Sequence, residues 1–364
     1  MRAESEPSRR QFLAAAAGAF AAGPGASRAG ERGATDAAGV RSVELPGLVD
    51  LQVNGFAGVD FGDPATTTDD VERAVAAIQK TGVTRFLPTL ITSPFETFAA
   101  CAQTLLKTRN AAIAGIHMEG PYISPEDGAR GAHARAHVRA ADLDDFKRRQ
   151  DAADGQIRLV TLAPESPGAI ALVERLVAGG LRVAIGHTAA SGAQIQAAVA
   201  AGATLSTHLG NGCAGMLPRH PNVIWEQLGE DRLLASFIVD GHHLPPATVR
   251  SMVRAKTSAR TILVTDAMAA AGMPPGVYTI GGQKVELDAT GRVAAPGASN
   301  LAGSALTLSA AIGHAVRFTG LPLDDVVEMA SGRPAGYLGI PPAGRVTAEW
   351  DPAASELRVL RVSL

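Results

Sequence analysis

The chain has 364 residues, 46% of them hydrophobic, and contains 40 glycines and 22 prolines. This length suits one catalytic domain with a small appendage, and the composition excludes a disordered chain. A formal net charge of −2 and a pI near 6.5 give no electrostatic basis for nucleic acid as a partner. Cys101 and Cys213 are too few for a disulfide framework and lie in no metal-ligand spacing, so we expect buried free thiols.

The amino-terminal segment differs in composition from the rest of the chain. The string Ser8-Arg9-Arg10-Gln11-Phe12-Leu13 precedes an alanine-rich, weakly apolar run that ends near Ala22, a pattern typical of a twin-arginine export signal. We therefore predict a leader over residues 1–40 and a periplasmic or otherwise exported protein. If the leader is not functional, the protein is cytoplasmic. The apolar run is shorter than the roughly 20 residues of a membrane-spanning helix, so no membrane anchor is expected.

From Leu45 onward, short apolar runs alternate with alanine-rich segments of helical periodicity. The predicted strands are Leu48–Val53, Val83–Leu90, Ala112–Met118, Ile157–Leu162, Arg182–Ile185, Ala203–Thr207, Leu233–Val239 and Thr261–Val264. The helices predicted between them are Asp69–Lys80, Phe95–Lys107, Ile170–Ala178, Ala193–Ala201 and Ala247–Ala255. Eight such repeats favour a closed (β/α)8 TIM barrel over an open sheet. No glycine-rich phosphate-binding string follows the first strand, so dinucleotide or P-loop binding is not supported.

The segment after the eighth strand predicts smaller elements. Gly-Gly and Gly-Arg turns indicate a hairpin over about 278–293, and helices are predicted at Leu306–Phe318 and Asp324–Ser331. The alternating tail Arg345–Leu364 predicts a strand or two of an accessory sheet. We thus predict a leader at 1–40, a catalytic barrel at 41–340 that carries the hairpin insertion, and an accessory β segment at 341–364.

Four residues that could bind a metal ion or act as a base beside it lie at the carboxyl ends of predicted strands: Glu119, His187, His208 and Asp266. These strand ends meet at one face of a barrel, where the chemistry of this fold is found. One carboxylate and two imidazoles around an open position are typical of catalytic zinc. We predict that Glu119, His187 and His208 bind the cation. Asp266 would act as the general base on the water that the cation activates, and then as the acid toward a leaving amine.

Each of these residues also has an interpretation that involves no metal. A lone histidine at a strand end is often structural, and Glu119 alone could cap the next helix. The chain could also be a barrel that binds sugars without turnover, but a missing ligand or a missing Asp266 would indicate that, and all are present. By contrast His137, His220 and His314 lack the strand-end placement and are predicted to be surface or structural residues.

An ordered set of short motifs carries a family resemblance. In chain order they are Pro46-Gly47-Leu48-Val49-Asp50, Met118-Glu119-Gly120-Pro121, Gly186-His187-Thr188, Thr207-His208-Leu209, Asp240-Gly241-His242-His243, Val264-Thr265-Asp266-Ala267 and Leu301-Ala302-Gly303-Ser304. On these motifs the chain resembles the N-acetylglucosamine-6-phosphate deacetylases, a family of amino sugar metabolism within the amidohydrolase superfamily. The resemblance implies a TIM barrel of the metal-dependent hydrolase type, with a small β-sandwich accessory domain that is reduced here. It also implies hydrolysis of N-acetyl-D-glucosamine 6-phosphate to glucosamine 6-phosphate and acetate.

The resemblance also implies roles for individual residues. Glu119, His187 and His208 match the metal ligands, and Asp266 matches the catalytic aspartate. The positions implied to contact substrate are Ala132, His133, Asn211, Gly212, Arg219, His243, Leu301 and Ala302. Among them, His243 would stabilise the oxyanion, Leu301 and Ala302 would line the acetyl pocket, and Arg219 would reach the sugar phosphate across the interface of a homodimer.

Two departures concern the metal and the substrate. Gln52 and Asn54 occupy strand-one positions where many amidohydrolases carry His-x-His. Neutral amides are poor ligands, so these are vestigial metal positions and one divalent ion per subunit is expected. Zinc is the first choice, with Fe²⁺, Co²⁺ or Mn²⁺ left open. Because sugar phosphates are cytosolic, the leader also leaves an alternative function open, an exported deacetylase or amidohydrolase for an unphosphorylated N-acetyl amino sugar or N-acyl amino acid.

Overall fold

The computed structural model describes residues 39–280, 283–298, 301–341 and 343–364, so residues 1–38 of the predicted leader lie outside the described part. The strands are β1 (Arg41–Pro46), β2 (Leu48–Val53), β3 (Gly55–Phe56), β4 (Val59–Asp60), β5 (Val83–Ile91), β6 (Ile116–Glu119), β7 (Ile157–Leu162), β8 (Arg182–Ile185), β9 (Leu205–Ser206), β10 (Leu234–Phe237), β11 (Thr261–Leu263), β12 (Gly276–Ile280), β13 (Gln283–Leu287), β14 (Arg292–Ala294), β15 (Leu301–Ser304), β16 (Arg345–Asp351) and β17 (Glu356–Ser363). The α-helices are α1 (Thr68–Gln79), α2 (Phe95–Thr108), α3 (Leu143–Ala152), α4 (Ala169–Ala178), α5 (Gly192–Ala200), α6 (Val223–Gly229), α7 (Pro246–Lys256), α8 (Leu308–Thr319), α9 (Leu323–Ala330) and α10 (Gly332–Leu338).

Eight parallel strands form the barrel in the order β2-β5-β6-β7-β8-β9-β10-β11, with helices between consecutive strands. The two end strands meet through a bridge between Val53 and Ala267. Three backbone hydrogen bonds reinforce this closure: Asp266 N donates to Gln52 O at 2.9 Å, and Asn54 N and Gly55 N donate to Ala267 O at 2.7 and 3.1 Å. The predicted (β/α)8 barrel is therefore confirmed.

Amphipathic helices cover the barrel, and local chemistry sets where they begin. Helix α1 starts at a capping box in which Thr67 accepts from Asp70 N while the Asp70 side chain accepts from Thr67 N. The same helix buries residues at three- and four-residue spacing, namely Val71, Ala74, Val75 and Ile78. This is the period from which the helix is predicted.

Three helices were not predicted: α3, α6 and α10. Helix α3 is mostly charged and buries only Phe146 and Arg149, so it has almost no apolar periodicity. Helices α6 and α10 have seven residues each, which is too short for two full periods. Among the strands, β9 is shorter than predicted, and beyond its carboxyl end His208 has a φ of +29°, outside the extended region.

Three antiparallel sheets accompany the barrel in the described residues, the smallest being the β3–β4 pair. Strands β12–β15 form a four-stranded sheet, larger than the predicted hairpin, with a core of Ala270, Val285, Leu287 and Val293. In the accessory sheet, β16 pairs with both β17 and β1, and β1 was not predicted from the sequence. The predicted domain boundaries stay predictions. Among the described residues, no helix is both long and apolar enough to cross a bilayer.

Candidate active site

The candidate site residues stand where barrel strands end. Glu119 is the last residue of β6, His187 and His208 follow β8 and β9 by two residues, and Asp266 follows β11 by three. At His187, His208 and Asp266 the backbone is left-handed, with φ of 50°, 29° and 48°. Residues other than glycine rarely adopt this region, and such strained positions cluster at functional sites. The chain therefore turns sharply at three of these four residues.

The three predicted metal ligands meet at one point. His208 Nε2 lies 3.0 Å from Glu119 Oε1 and 3.1 Å from His187 Nε2, and His187 Nε2 lies 3.2 Å from Glu119 Oε1. All three side chains are buried. Ligand atoms around a tetrahedral zinc with bonds of about 2.0–2.1 Å are separated by about 3.3 Å, close to the spacing found here.

The protonation of His187 supports a cation at this point. Its Nδ1 lies 3.0 Å from the carbonyl oxygen of Ala129, which can only accept, so Nδ1 carries the proton. In the neutral ring, Nε2 then has a lone pair that faces the Glu119 carboxylate. Two such atoms repel each other unless a cation lies between them, so the donor set fits a divalent metal ion. The carbonyl of Ala129 orients the ring, as is usual for metal-binding histidines.

His133 lies beside this cluster. Its Nε2 is 3.7 Å from Glu119 Oε2, and Glu119, His133 and His187 offer ligand atoms that all lie within 4.8 Å of one another. However, the backbone N–H of Thr92 donates to His133 Nδ1 at 3.4 Å, so Nε2 carries the proton in the neutral ring. This tautomer suits a hydrogen-bond donor to substrate better than a ligand. His208 is also closer than His133 to Glu119.

The two amides of strand β2 hold the two carboxylates. Gln52 Nε2 donates to Glu119 Oε1 at 2.9 Å, and Asn54 Nδ2 donates to Asp266 Oδ1 at 2.6 Å. The positions predicted as vestigial metal ligands therefore act here as hydrogen-bond donors. Burial, and then the charge of Glu119, raise the pKa of Asp266 above its ordinary value. A raised pKa suits a carboxylate that must accept a proton near neutral pH.

A cavity of about 520 Å³ opens over the cluster. The three candidate metal ligands line it, and so do Asp266 and Asn54. All but one of the predicted substrate-contact residues line it as well: Ala132, His133, Asn211, Gly212, His243, Leu301 and Ala302. The exception is Arg219, which is exposed in the segment before α6 and does not line the cavity of its own chain. Gln52 is buried behind Glu119.

Asp240 and Gly131 were given no role from the sequence, and Gly212 was assigned only a contact with substrate. Asp240 holds His243, since His243 Nδ1 lies 2.6 Å from Asp240 Oδ2. Gly131 and Gly212 both pack against the His187 ring, and a Cβ on either would lie within 3.2 Å of a ring atom. The Asp-x-x-His spacing of the first pair is a usable signal. The glycine contacts have no sequence signal, because they join segments far apart in the chain.

A barrel with a Glu-His-His cluster and a buried aspartate at its carboxyl face defines a metal-dependent hydrolase. The model of the amidohydrolase family matches residues 43–354. The chain belongs to the amidohydrolase family, whose members are metal-dependent.

Within that family the chain is similar to amino sugar phosphate deacetylases. It is 38% identical over 314 residues to the N-acetylglucosamine-6-phosphate deacetylase of Homo sapiens, which covers 81% of this chain and 74% of the relative. It is 34% identical over 307 residues to the N-acetylgalactosamine-6-phosphate deacetylase of Escherichia coli O157:H7, with coverage of 82% and 80%. A solved mutant of N-acetyl-D-glucosamine-6-phosphate deacetylase from Mycobacterium smegmatis, in complex with N-acetyl-D-glucosamine-6-phosphate, superposes with a TM-score of 0.79 at 35% identity, covering 88% of this chain and 86% of that one.

Proposed function

We propose that this protein hydrolyses N-acetyl-D-glucosamine 6-phosphate to glucosamine 6-phosphate and acetate. One observation carries the proposal: the Glu119, His187 and His208 cluster and Asp266 line the same cavity, in a chain similar to deacetylases of this substrate. The relatives do not favour the alternative of an unphosphorylated substrate. The relative named for N-acetylgalactosamine 6-phosphate makes that epimer the second substrate to test.

The residues that would hold the metal ion are Glu119, His187 and His208. When bound, the ion supplies Lewis acidity toward the amide carbonyl and lowers the pKa of water. Asp266 takes the proton of the attacking water and returns it to the leaving amine. Because Asn54 donates to Asp266 Oδ1, the other oxygen, Oδ2, is left for the proton. His243, held at Nδ1 by Asp240, in its protonated form donates from Nε2 to the oxygen of the scissile carbonyl.

The finer features of this proposal concern the ion, the assembly and the compartment. We propose Zn²⁺ as the native ion, one per subunit, because two imidazoles and a carboxylate are a common zinc set; Fe²⁺, Co²⁺ and Mn²⁺ accept the same ligands. We also propose a homodimer in which Arg219 of the partner subunit binds the substrate phosphate. The exposure of Arg219 away from the cavity of its own chain supports this arrangement. Export by the twin-arginine route remains a proposal from the leader.

The test is a steady-state assay of acetate release by the metal-loaded protein. N-acetyl-D-glucosamine 6-phosphate, its galactosamine epimer and unphosphorylated N-acetyl-D-glucosamine are compared, with metal analysis of the same sample. We expect the first substrate to have the highest kcat/KM. Turnover of the unphosphorylated sugar without turnover of either phosphate would overturn the assignment. Asp266→Asn is expected to keep its metal while kcat falls by several orders of magnitude.

A further inference from the structure

The candidate base lies at the joint where the barrel closes. Adjacent barrel strands from β2 through β11 are joined by parallel ladders, whereas β2 and the segment after β11 share the single bridge of Val53 and Ala267. Asp266 sits at this joint with a φ of +48°. Asp266 is therefore a residue whose position matters and whose conformation is unfavourable for a side chain with a Cβ, at a joint that lacks an extended ladder.

A buried carboxylate below the site supplies additional hydrogen bonds at this joint. Asp50, in β2, is 1% exposed and has no part in the proposed chemistry. Its Oδ2 accepts from Thr265 Oγ1 at 2.6 Å, and its Oδ1 accepts from the backbone N–H of Thr265 at 3.3 Å and of Gln52 at 3.2 Å. Asp50 thus connects β2 to the residue immediately before Asp266.

The Thr265 hydroxyl continues this connection to the other side of Asp266. Thr265 Oγ1 accepts from the backbone N–H of Ala267 at 3.2 Å, so one side-chain oxygen spans Asp266. Because the hydroxyl proton is directed to Asp50, a lone pair of Oγ1 is left for the Ala267 N–H. The left-handed turn at Asp266 is therefore enclosed by a hydrogen bond that depends on Asp50.

We propose that Asp50 and Thr265 are positioning residues that hold the backbone of Asp266 in its left-handed conformation. This inference rests on the proposed function in one respect, the role of Asp266 as the base. The pair acts on the backbone, while Asn54 acts separately on the carboxylate through Asp266 Oδ1. A displacement of about 1 Å in a reacting group can cost about a hundredfold in rate, so loss of this support lowers kcat.

Two variants of Thr265 separate the hydroxyl from the shape of the side chain. Thr265→Val removes the hydroxyl at constant shape, and Thr265→Ser keeps it. We expect kcat for acetate release to fall about 10- to 100-fold in Thr265→Val, with KM and metal content unchanged, and to stay within about threefold of wild type in Thr265→Ser. Thr84→Val is the matched control, because Thr84 is a buried threonine of β5 whose hydroxyl bonds only the Leu48 carbonyl among the described residues.

Coupling between the two residues gives the second measurement. Asp50→Asn should lower kcat as Thr265→Val does, and the double variant should lose no more than the worse single variant, because both changes break one connection. Multiplicative losses, or equal losses in Thr265→Val and Thr265→Ser, would overturn the proposal. If Thr265→Val does not fold, Thr265→Ala removes the same hydroxyl and takes its place.

A crystal structure of Thr265→Val makes the result independent of the substrate. We expect φ of Asp266 to leave the left-handed region or its Cα to shift relative to the ligand cluster. An unchanged Asp266 would refute the positioning role whatever the activity. If wild type releases no acetate from any of the N-acetyl hexosamines but the variant structure shows the shift, the proposed function fails and the positioning role stands.

Discussion

Asp240 and His243 form a close pair at the mouth of the barrel, with His243 Nδ1 2.6 Å from Asp240 Oδ2. The other oxygen of Asp240 accepts from the backbone N–H groups of His242 and His243, both at 2.8 Å. Three hydrogen bonds therefore fix one carboxylate, which in turn fixes the orientation of the imidazole that lines the cavity.

We expect Asp240→Asn to lower kcat about tenfold or more, because an amide no longer stabilises the protonated imidazole that faces the developing oxyanion. KM should change little, and metal content should not change. Asp231→Asn is the control, since Asp231 is exposed and pairs with Arg260 at the surface. A kcat of Asp240→Asn equal to that of this control would rule out the role.

The same pair predicts a pH dependence of stability. Burial alone raises the pKa of Asp240, but the hydrogen bonds from His243 and the backbone outweigh it, so the pKa lies below its ordinary value. A carboxyl with a lowered folded-state pKa stabilises the fold above its unfolded pKa, and this contribution is lost as the pH falls through the lowered value. The Tm difference between wild type and Asp240→Asn should therefore narrow on acidification from neutral pH. A constant difference from pH 7 to about pH 3 would contradict this.

Gly212→Ala is expected to weaken metal binding. A Cβ there would lie 2.9 Å from His187 Nδ1, and the φ of Gly212 is +57°, so the change displaces the ring and strains the backbone. Metal affinity should fall about 10- to 100-fold, the usual effect of disturbing groups that orient a ligand. Gly215→Ala, in the same loop with nothing within 4 Å of the added Cβ, is the control. Equal metal affinity in the two variants would show that the His187 contact does not matter.

Removal of the metal by a chelator should abolish acetate release and lower Tm, because the ion binds only the folded state. At free metal about a thousandfold above Kd, this linkage is worth about 4 kcal/mol. Glu119→Gln should show the same low Tm with and without chelator, since it lacks the charged ligand. His220→Ala changes an exposed residue outside the cavity, so its decrease in Tm on chelation should match that of wild type. A chelator-insensitive Tm in wild type would argue against a bound ion.

Arg219→Ala is expected to raise KM for phosphorylated substrate by about 10-fold or more, because an arginine–phosphate contact is a charge-assisted hydrogen bond. Turnover of an unphosphorylated N-acetyl sugar should not change. Arg250→Ala is the control, since Arg250 of α7 donates a hydrogen bond to the backbone carbonyl of Phe318 in α8. A monomer by light scattering that still shows the Arg219 effect would exclude a contribution across a dimer interface.

Much of the fold could be predicted because the barrel strands are short and almost entirely buried. Strands β2, β7 and β8 begin and end at the predicted residues, since their apolar runs are bounded by turns. Helix α3 could not be predicted, because polar contacts take the place of an apolar face: Asp145 accepts hydrogen bonds from Arg149 of the same helix and from Tyr122 outside it. Such polar pairing leaves no apolar period in the sequence.

The sequence by itself determined which side chains stand at the carboxyl ends of the strands, because strand ends in a parallel barrel converge whatever the details of packing. That was enough for Glu119, His187, His208 and Asp266. Only the tertiary structure decided which groups hold the side chains of the site. Gln52 bonds Glu119, Asn54 bonds Asp266, Asp240 bonds His243, and two glycines pack against His187. Hydrogen bonds and close contacts of this kind depend on distances of a few tenths of an ångström between distant segments, which no local pattern encodes.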